Sequence, residues 1–212
     1  MAERNTIEAV RKAIETSKQR NFEESVEIAV NLKDLDLSLP KNRIEEEILL
    51  PKGRGKPVKI AIFATGELAV KARDAADMIF GPEDIEDLAE NKRKARKIAE
   101  TIDFFLAEAP LMPTIGKRLG VILAPRGKMP KPIPPGADPG PMIETMKKTV
   151  RIRTKDRRTF HAPVGTKSMS LEDLADNVDE IMKRLISRLE RGKENIESAY
   201  VKTTMGPAVK II

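Results

Sequence analysis

The chain has 212 residues, a formal net charge of +6 and a pI near 9.4, with 34% charged and 3% aromatic side chains. That length suffices for one large domain or two small ones, each with its own core, and the basic balance favours a polyanionic partner. There is no cysteine and a single histidine, which excludes disulfides and thiolate chemistry and deprives zinc of its usual ligands.

No apolar run approaches the roughly 18 residues of a membrane span, and the start Met1-Ala-Glu-Arg4 has no hydrophobic signal core. A cytoplasmic protein without a membrane partner is therefore expected. In chain order, Thr6 is placed to cap a first helix to about Gln19, with Ile7, Val10 and Ile14 along one stripe. From Ser25 to Leu32 the period changes to two. Val26, Ile28, Val30 and Leu32 turn inward while Ser25, Glu27 and Asn31 turn out, as in a sheet with one wet face. Ile44, Ile48 and Leu50 mark a second strand, and the basic, glycine-rich Pro51-Lys-Gly-Arg-Gly55 reads as a hinge.

Beyond it Val58 to Ala64 is nearly all apolar, as in a strand covered on both faces. An alanine-rich helix from Gly66 to Ala76 follows, then a short strand from Met78 to Phe80, then one charged helix after Gly81-Pro82 to about Thr101. Ile102 to Ala107 and Gly120 to Ala124 read as buried strands separated by a short helix from Pro113 to Leu119, so a small doubly wound parallel sheet is predicted. Pro125 to Pro141 is dense in proline and glycine and should run extended over the surface. Met142 to Lys148 returns to helix. Thr149 to Thr154 and Thr159 to Val164 read as strands joined by the polar turn Lys155-Asp-Arg-Arg158. Ser170 with Asp173 is a capping-box signal for a long helix to about Arg191, with Leu174, Val178, Ile181, Leu185 and Leu189 as its buried stripe. A last alternating stretch stops at Gly206-Pro207, which predicts a strand ending in a shaped turn at Thr204-Met205-Gly206.

The fold class expected is α+β. A discontinuous antiparallel α/β-sandwich domain is built from both termini, residues 1–55 and 155–212, and carries an inserted Rossmann-like α/β parallel-sheet domain at 56–154. Hinges are expected at Gly53 and Gly55 and at Thr154 and Lys155, about which the inserted lobe would swing as a rigid body.

Candidates for chemistry are few. His161, beside Phe160 and Pro163, reads as a structural residue or a single hydrogen-bond partner, and the carboxylates fall mostly on helix faces, leaving no acid–base pair. Ala64-Thr-Gly-Glu-Leu-Ala69 has one glycine where a dinucleotide fingerprint needs three, and GxxxxGK[ST] is absent. Pro125-Arg-Gly-Lys128 is the remaining phosphate candidate. An enzyme binding a nucleotide cofactor in the inserted domain is thus the alternative reading; the main one requires no cofactor and no metal. Asn91-Lys-Arg-Lys-Ala-Arg-Lys97 and Arg151-Ile-Arg-Thr-Lys155 are candidate RNA contacts, although the first reads equally as a solvated helix face. With one tyrosine and six phenylalanines, base stacking has few platforms, Phe22 ahead of the half-exposed strand being the exception.

Four separated strings carry a family resemblance: Asn21-Phe-Glu-Glu-Ser-Val-Glu27, Gly120-Val-Ile-Leu-Ala-Pro-Arg-Gly-Lys-Met-Pro130, Phe160-His-Ala-Pro-Val-Gly165 and Thr203-Thr-Met-Gly-Pro207. In that order they cover essentially the whole chain, which resembles the ribosomal proteins that form the mobile side stalk of the large subunit (large ribosomal protein one), in the archaeal-type form. The resemblance implies a non-enzymatic protein, monomeric when free, that binds large-subunit rRNA and assists release of deacylated tRNA from the exit site. It also implies repression of its own mRNA through a mimic of the rRNA site. The RNA-binding positions implied are Phe22, Ser25, Glu27, His161, Lys167, Ser198, Tyr200, Lys202, Thr203, Thr204, Met205 and Gly206. Glu27 must then accept hydrogen bonds from base amino groups or a 2′-OH, because facing phosphate it would repel. Asn21 stands where the resemblance leads one to expect a basic residue.

Overall fold

The computed structural model describes residues 4–134, 136–154 and 157–212. The chain divides into two compact units, one holding residues up to Lys56 and from Lys148 onward, the other Pro57–Lys147.

In the terminal unit β1 (Ser25–Leu32) is central. It pairs antiparallel with β8 (Thr159–Thr166) on one side and β9 (Ile196–Thr203) on the other, and β10 (Val209–Lys210) borders β9. Val26, Ile28, Val30 and Leu32 are buried while the residues between them are half-exposed, as the alternation predicts. The covered face meets α1 (Arg4–Glu15) and α7 (Leu171–Arg188), whose Val10, Ala13, Leu174, Val178, Ile181 and Leu185 join the β1 residues in one core. Thr6 does not cap α1. It lies inside the helix, buried, and its hydroxyl donates to Asp179 Oδ1 of α7 at 2.8 Å. Ser170 does cap α7, accepting from the Asp173 N–H at 3.1 Å. Ser170→Ala should therefore cost about 1 kcal/mol, read as a lower denaturant midpoint.

β2 (Glu45–Leu49) and β7 (Thr149–Arg153) form a separate antiparallel ribbon, registered from Glu45↔Arg153 to Leu49↔Thr149. This moves the expected boundary: β7 belongs to the terminal unit, and the chain crosses at Lys56–Pro57 and Lys147–Lys148. β7 and β8 are not a hairpin, since their ladders run to β2 and β1 respectively. Thr154 is likewise no hinge. It is buried at the end of the ribbon remote from the crossings, its N–H donating to Ile44 O and its hydroxyl accepting from Ile44 N, both at 3.0 Å. Lys155 lies outside the described residues. Gly53 and Gly55 both have positive φ, but they are pinned within the terminal unit. The Asn177 side chain of α7 accepts from Lys52 N at 3.1 Å and donates to Gly53 O at 2.9 Å, and a Cβ on Gly55 would lie 2.6 Å from Thr166 Oγ1.

The inserted unit is a parallel sheet ordered β4 (Met78–Phe80), β3 (Ile60–Phe63), β5 (Phe104–Glu108), β6 (Lys131–Ile133). The helices α3 (Pro82–Glu90), α4 (Lys92–Thr101) and α5 (Met112–Leu123) cover the face bearing Ala61, Phe63 and Phe105. On the other face α2 (Gly66–Ala72) and α6 (Pro139–Lys147) meet Ile60, Ile62 and Leu106. Three expectations change. The single charged helix is two, because Asn91 ends α3 and then caps α4 by accepting from Lys94 N at 3.1 Å. Gly120 to Ala124 is not a strand: Gly120 to Leu123 is the last turn of α5, where Ile115, Leu119, Ile122 and Leu123 recur at helical spacing and Val121 is 81% exposed. The proline-rich segment contributes β6 to the edge of the sheet, where a proline inside the strand is tolerated.

Candidate nucleic-acid interface

The face of the terminal sheet opposite α1 and α7 is built by the outward residues of three strands. Across β1, Ala29 stands between His161 and Tyr200, Glu27 between Pro163 and Lys202, and Asn31 between Thr159 and Ser198. The last trio is a hydrogen-bonded rung. Asn31 Nδ2 donates to Ser198 Oγ at 2.9 Å and Thr159 Oγ1 donates to Asn31 Oδ1 at 2.8 Å. Ser198 is accordingly nearly buried, its hydroxyl already committed. His161 is exposed and no cluster of metal-ligating side chains exists among the described residues.

At one end of this face the chain bends sharply after β9, and the bend is fixed by the residues that lead into β1. Glu24, only 2% exposed, accepts from Met205 N at 2.9 Å and from the Thr203 hydroxyl at 3.2 Å through the same oxygen. Thr204 N donates to Ser25 O at 3.0 Å, while Thr204 Oγ1 accepts from Ser25 N at 3.1 Å. Gly206 N closes the turn on Thr203 O at 3.2 Å. With its backbone held this way, the bend leaves Met205 61% exposed, and Phe22, two residues before Glu24, is 53% exposed. Large apolar side chains left in water beside a polar, shaped backbone suit contact with a folded ligand rather than packing.

Two cations and one anion frame the bend. The Lys167 ammonium donates to Ser17 Oγ at 2.6 Å and stands 4.0 Å from Glu24 Oε2. Lys56 donates to Ser25 Oγ at 2.8 Å. Hydrogen bonds from the Ser168 and Thr166 hydroxyls, and then the charge of Lys56, hold the exposed Glu23 carboxyl below its ordinary pKa, so it stays ionised. The structure thus brings Phe22, Ser25, Lys167 and Thr204 to Gly206 to one edge, and sets Glu27, His161, Tyr200, Lys202 and Ser198 along the face behind it; Thr203, expected among the RNA contacts, is instead fully buried, its hydroxyl spent on Glu24. Glu24, Asn31 and Lys56 were not singled out from the sequence. For Glu24 the signal was present: it is in phase with Val26, Ile28 and Val30, so extending the period-two pattern back one step puts a carboxylate on the covered side.

Three of the other candidates are occupied by the fold itself. Arg151 and Arg153 both reach Glu45 across the ribbon, Arg153 at 3.7 Å. In the Pro125–Lys128 segment, Gly127 N and Lys128 N close α5 on Ala124 O and Leu123 O. The Lys128 ammonium caps α4, donating to Ala99 O at 2.8 Å and Ile102 O at 2.6 Å, and partial burial lowers its pKa. At the start of α2, where a nucleotide phosphate would sit, the Glu108 carboxylate accepts from Thr65 N at 3.0 Å and from the Thr65 hydroxyl at 2.6 Å. A carboxylate in the phosphate position argues directly against nucleotide binding there.

Comparison with known proteins points the same way as the geometry. The model of the ribosomal protein L1p/L10e family matches residues 12–207. The large ribosomal subunit protein uL1 of Methanocella arvoryzae is 55% identical over 213 aligned residues, covering the whole of both chains. That of Thermoplasma acidophilum is 58% identical over 203, or 96% of this chain and 94% of its own, and that of Archaeoglobus fulgidus 50% over 207, or 97% and 96%. These relatives are archaeal.

Proposed function

This chain belongs to the ribosomal protein L1p/L10e family, and from that premise we propose that rRNA of the large subunit lies against the bend and open sheet face of its terminal unit. As a member of the family it is a structural, non-catalytic constituent of the large ribosomal subunit. The observation that carries the interface is the buried Glu24, which holds the bend through the Met205 N–H and the Thr203 hydroxyl while the Met205 side chain is left in solvent. Rigid backbone groups, hydroxyls and an apolar side chain suit recognition of a folded RNA by shape and 2′-OH contacts.

The finer reading is that the bound segment is the side stalk. The protein binds it as a single copy, its inserted unit moves about the two crossings, and that movement assists release of deacylated tRNA from the exit site. Leu50 N donates to Lys148 O at 3.0 Å, so the returning chain joins the end of the β2–β7 ribbon as soon as it re-enters the terminal unit. Repression of its own mRNA follows if the message carries a copy of the rRNA shape, since both RNAs would then compete for one face.

Deleting residues 57–147 and joining Lys56 to Lys148 should leave a folded terminal unit whose affinity for a stalk rRNA fragment is within about tenfold of the full chain, or 1.4 kcal/mol. The same fragment should be displaced by the leader of the protein's own message. A folded deletion variant that no longer binds would transfer recognition to the inserted unit.

A further inference from the structure

Lys92, Arg93, Arg96 and Lys97 of α4 are all exposed, and none makes an ion pair among the described residues. They form two i,i+4 pairs: Arg93 and Lys97 lie on the side of the helix away from the buried Ala95 and Ala99, while Lys92 and Arg96 flank that buried stripe. Like charges at that spacing repel, and cations in the first turn oppose the helix dipole. The helix has no acidic residue in that turn to offset them, and its only carboxylate, Glu100, is taken by Arg126 at 3.4 Å. Lys94, by contrast, is neutralised by Asp87 of α3 at 2.6 Å. Next to α4, α5 adds the exposed Lys117 and Arg118 and no acid. The helix therefore holds four cations that no ion pair neutralises among the described residues, their charge offset only in part by Glu100 and by the carboxylates of the neighbouring α3.

We propose that this α4 face is a second RNA-binding surface, distinct from the sheet face, which holds the phosphate backbone of a structured RNA without reading its sequence. Residues four apart on a helix lie about 6 Å apart along its axis, a spacing comparable to that of successive phosphates on one strand. No aromatic or exposed apolar side chain interrupts the α4 face. That omission suits a phosphate backbone, for which charge alone suffices, and not a protein partner, whose interface needs an apolar centre. The choice of RNA over other polyanions rests on the ribosomal reading.

The test is Lys92→Glu, Arg93→Glu, Arg96→Glu and Lys97→Glu together in the full chain, titrated against three RNAs: a stalk rRNA fragment, deacylated tRNA and a short unrelated RNA duplex. The changed side chains are exposed, and the new ones favour the helix dipole but repel one another at i,i+4 as the cations did, so parent and variant are compared at a temperature where circular dichroism shows both folded, which separates lost binding from lost folding. The parent should bind the duplex weakly, and the variant should lose at least about tenfold of that affinity, with the slope of log affinity against log salt shallower by about 3. Affinity for the stalk fragment should fall by clearly less than the duplex affinity at the same salt, since its specific contacts are untouched although the net charge drops by eight. A tRNA loss larger than the duplex loss would identify tRNA as the natural occupant, and equal losses would identify any structured RNA. Duplex and tRNA affinities unchanged by the substitutions, or a parent that binds neither, would overturn the proposal. So would a stalk-fragment loss as large as the duplex loss, since α4 would then be part of the specific site. Failure of the parent to bind the stalk fragment would sink the sheet-face reading alone.

Discussion

Glu24→Ala is expected to destabilise the terminal unit by about 2–4 kcal/mol and, in the fraction that stays folded, to weaken binding to a stalk rRNA fragment. Truncation would leave the Met205 N–H and the Thr203 hydroxyl without their acceptor in a nearly closed site, and a stranded buried donor costs far more than the net gain from making the bond. The same loss would loosen the bend from the entry to β1, leaving it held by Thr204 N on Ser25 O and Ser25 N on Thr204 Oγ1, next to the β1–β9 ladder. Glu24→Gln keeps the shape and one acceptor oxygen and should recover most of the midpoint, though its amide would face the Lys167 ammonium, now 4.0 Å from Oε2. Glu23→Ala, next in sequence but exposed and bonded only to serine and threonine hydroxyls, should shift the denaturant midpoint by no more than about 0.5 kcal/mol. If Glu24→Ala and Glu23→Ala melt alike, the carboxylate does not organise the bend.

What the sequence conveyed and what it withheld follow from how far each residue's partner lies along the chain. The β1 alternation, the Ser170 cap and the α7 stripe from Leu174 to Leu185 are local patterns that appear in the structure at the residues that announce them, although α7 stops at Arg188 and leaves Leu189 extended just beyond it. The run from Gly120 to Ala124 misleads because a short apolar stretch fits a strand or a helical turn equally well. Only the longer register from Ile115 to Leu123 favours the helix. Lys131-Pro-Ile133 hides a strand because proline argues against one except at an edge. The placement of β7 was illegible for a different reason: its partner β2 lies in the first quarter of the chain, and nothing local says which sheet will receive it. The interface divides the same way. Thr204-Met-Gly206 announces itself as a turn, whereas its anchors at Glu24 and Ser25, and the Lys167 ammonium beside them, are brought in by β1 pairing with β8 and β9, and Lys56 reaches Ser25 from the segment after β2. Lone polar residues of this kind become informative only once the ladder is known.

Gly206→Ala and Met205→Asp should each cost about 2–4 kcal/mol of affinity for the stalk rRNA fragment, but by different routes that can be told apart. A Cβ on Gly206 would lie 2.3 Å from Thr203 Oγ1 and 3.2 Å from Ser17 Cβ. Neither neighbour can easily retreat, because the Thr203 hydroxyl is bonded to the buried Glu24, and Ser17 is tied to Ile14 O and to the Lys167 ammonium. The backbone of the bend must therefore open, and Gly206→Ala should lose roughly 1–3 kcal/mol of stability together with its affinity. Met205, whose side chain is largely in water while its N–H is held from behind, has no such structural part to play. Met205→Asp should unfold at the parent's midpoint and yet bind poorly, because it replaces an apolar contact with a carboxylate aimed at a polyanion, and added salt should narrow the deficit by screening that repulsion. Thr204→Val belongs with the first route, since it removes the acceptor of the Ser25 N–H. Parental affinity in Met205→Asp would mean that the bend faces solvent in the complex, and the RNA would then have to be sought along Glu27, His161 and Tyr200 instead.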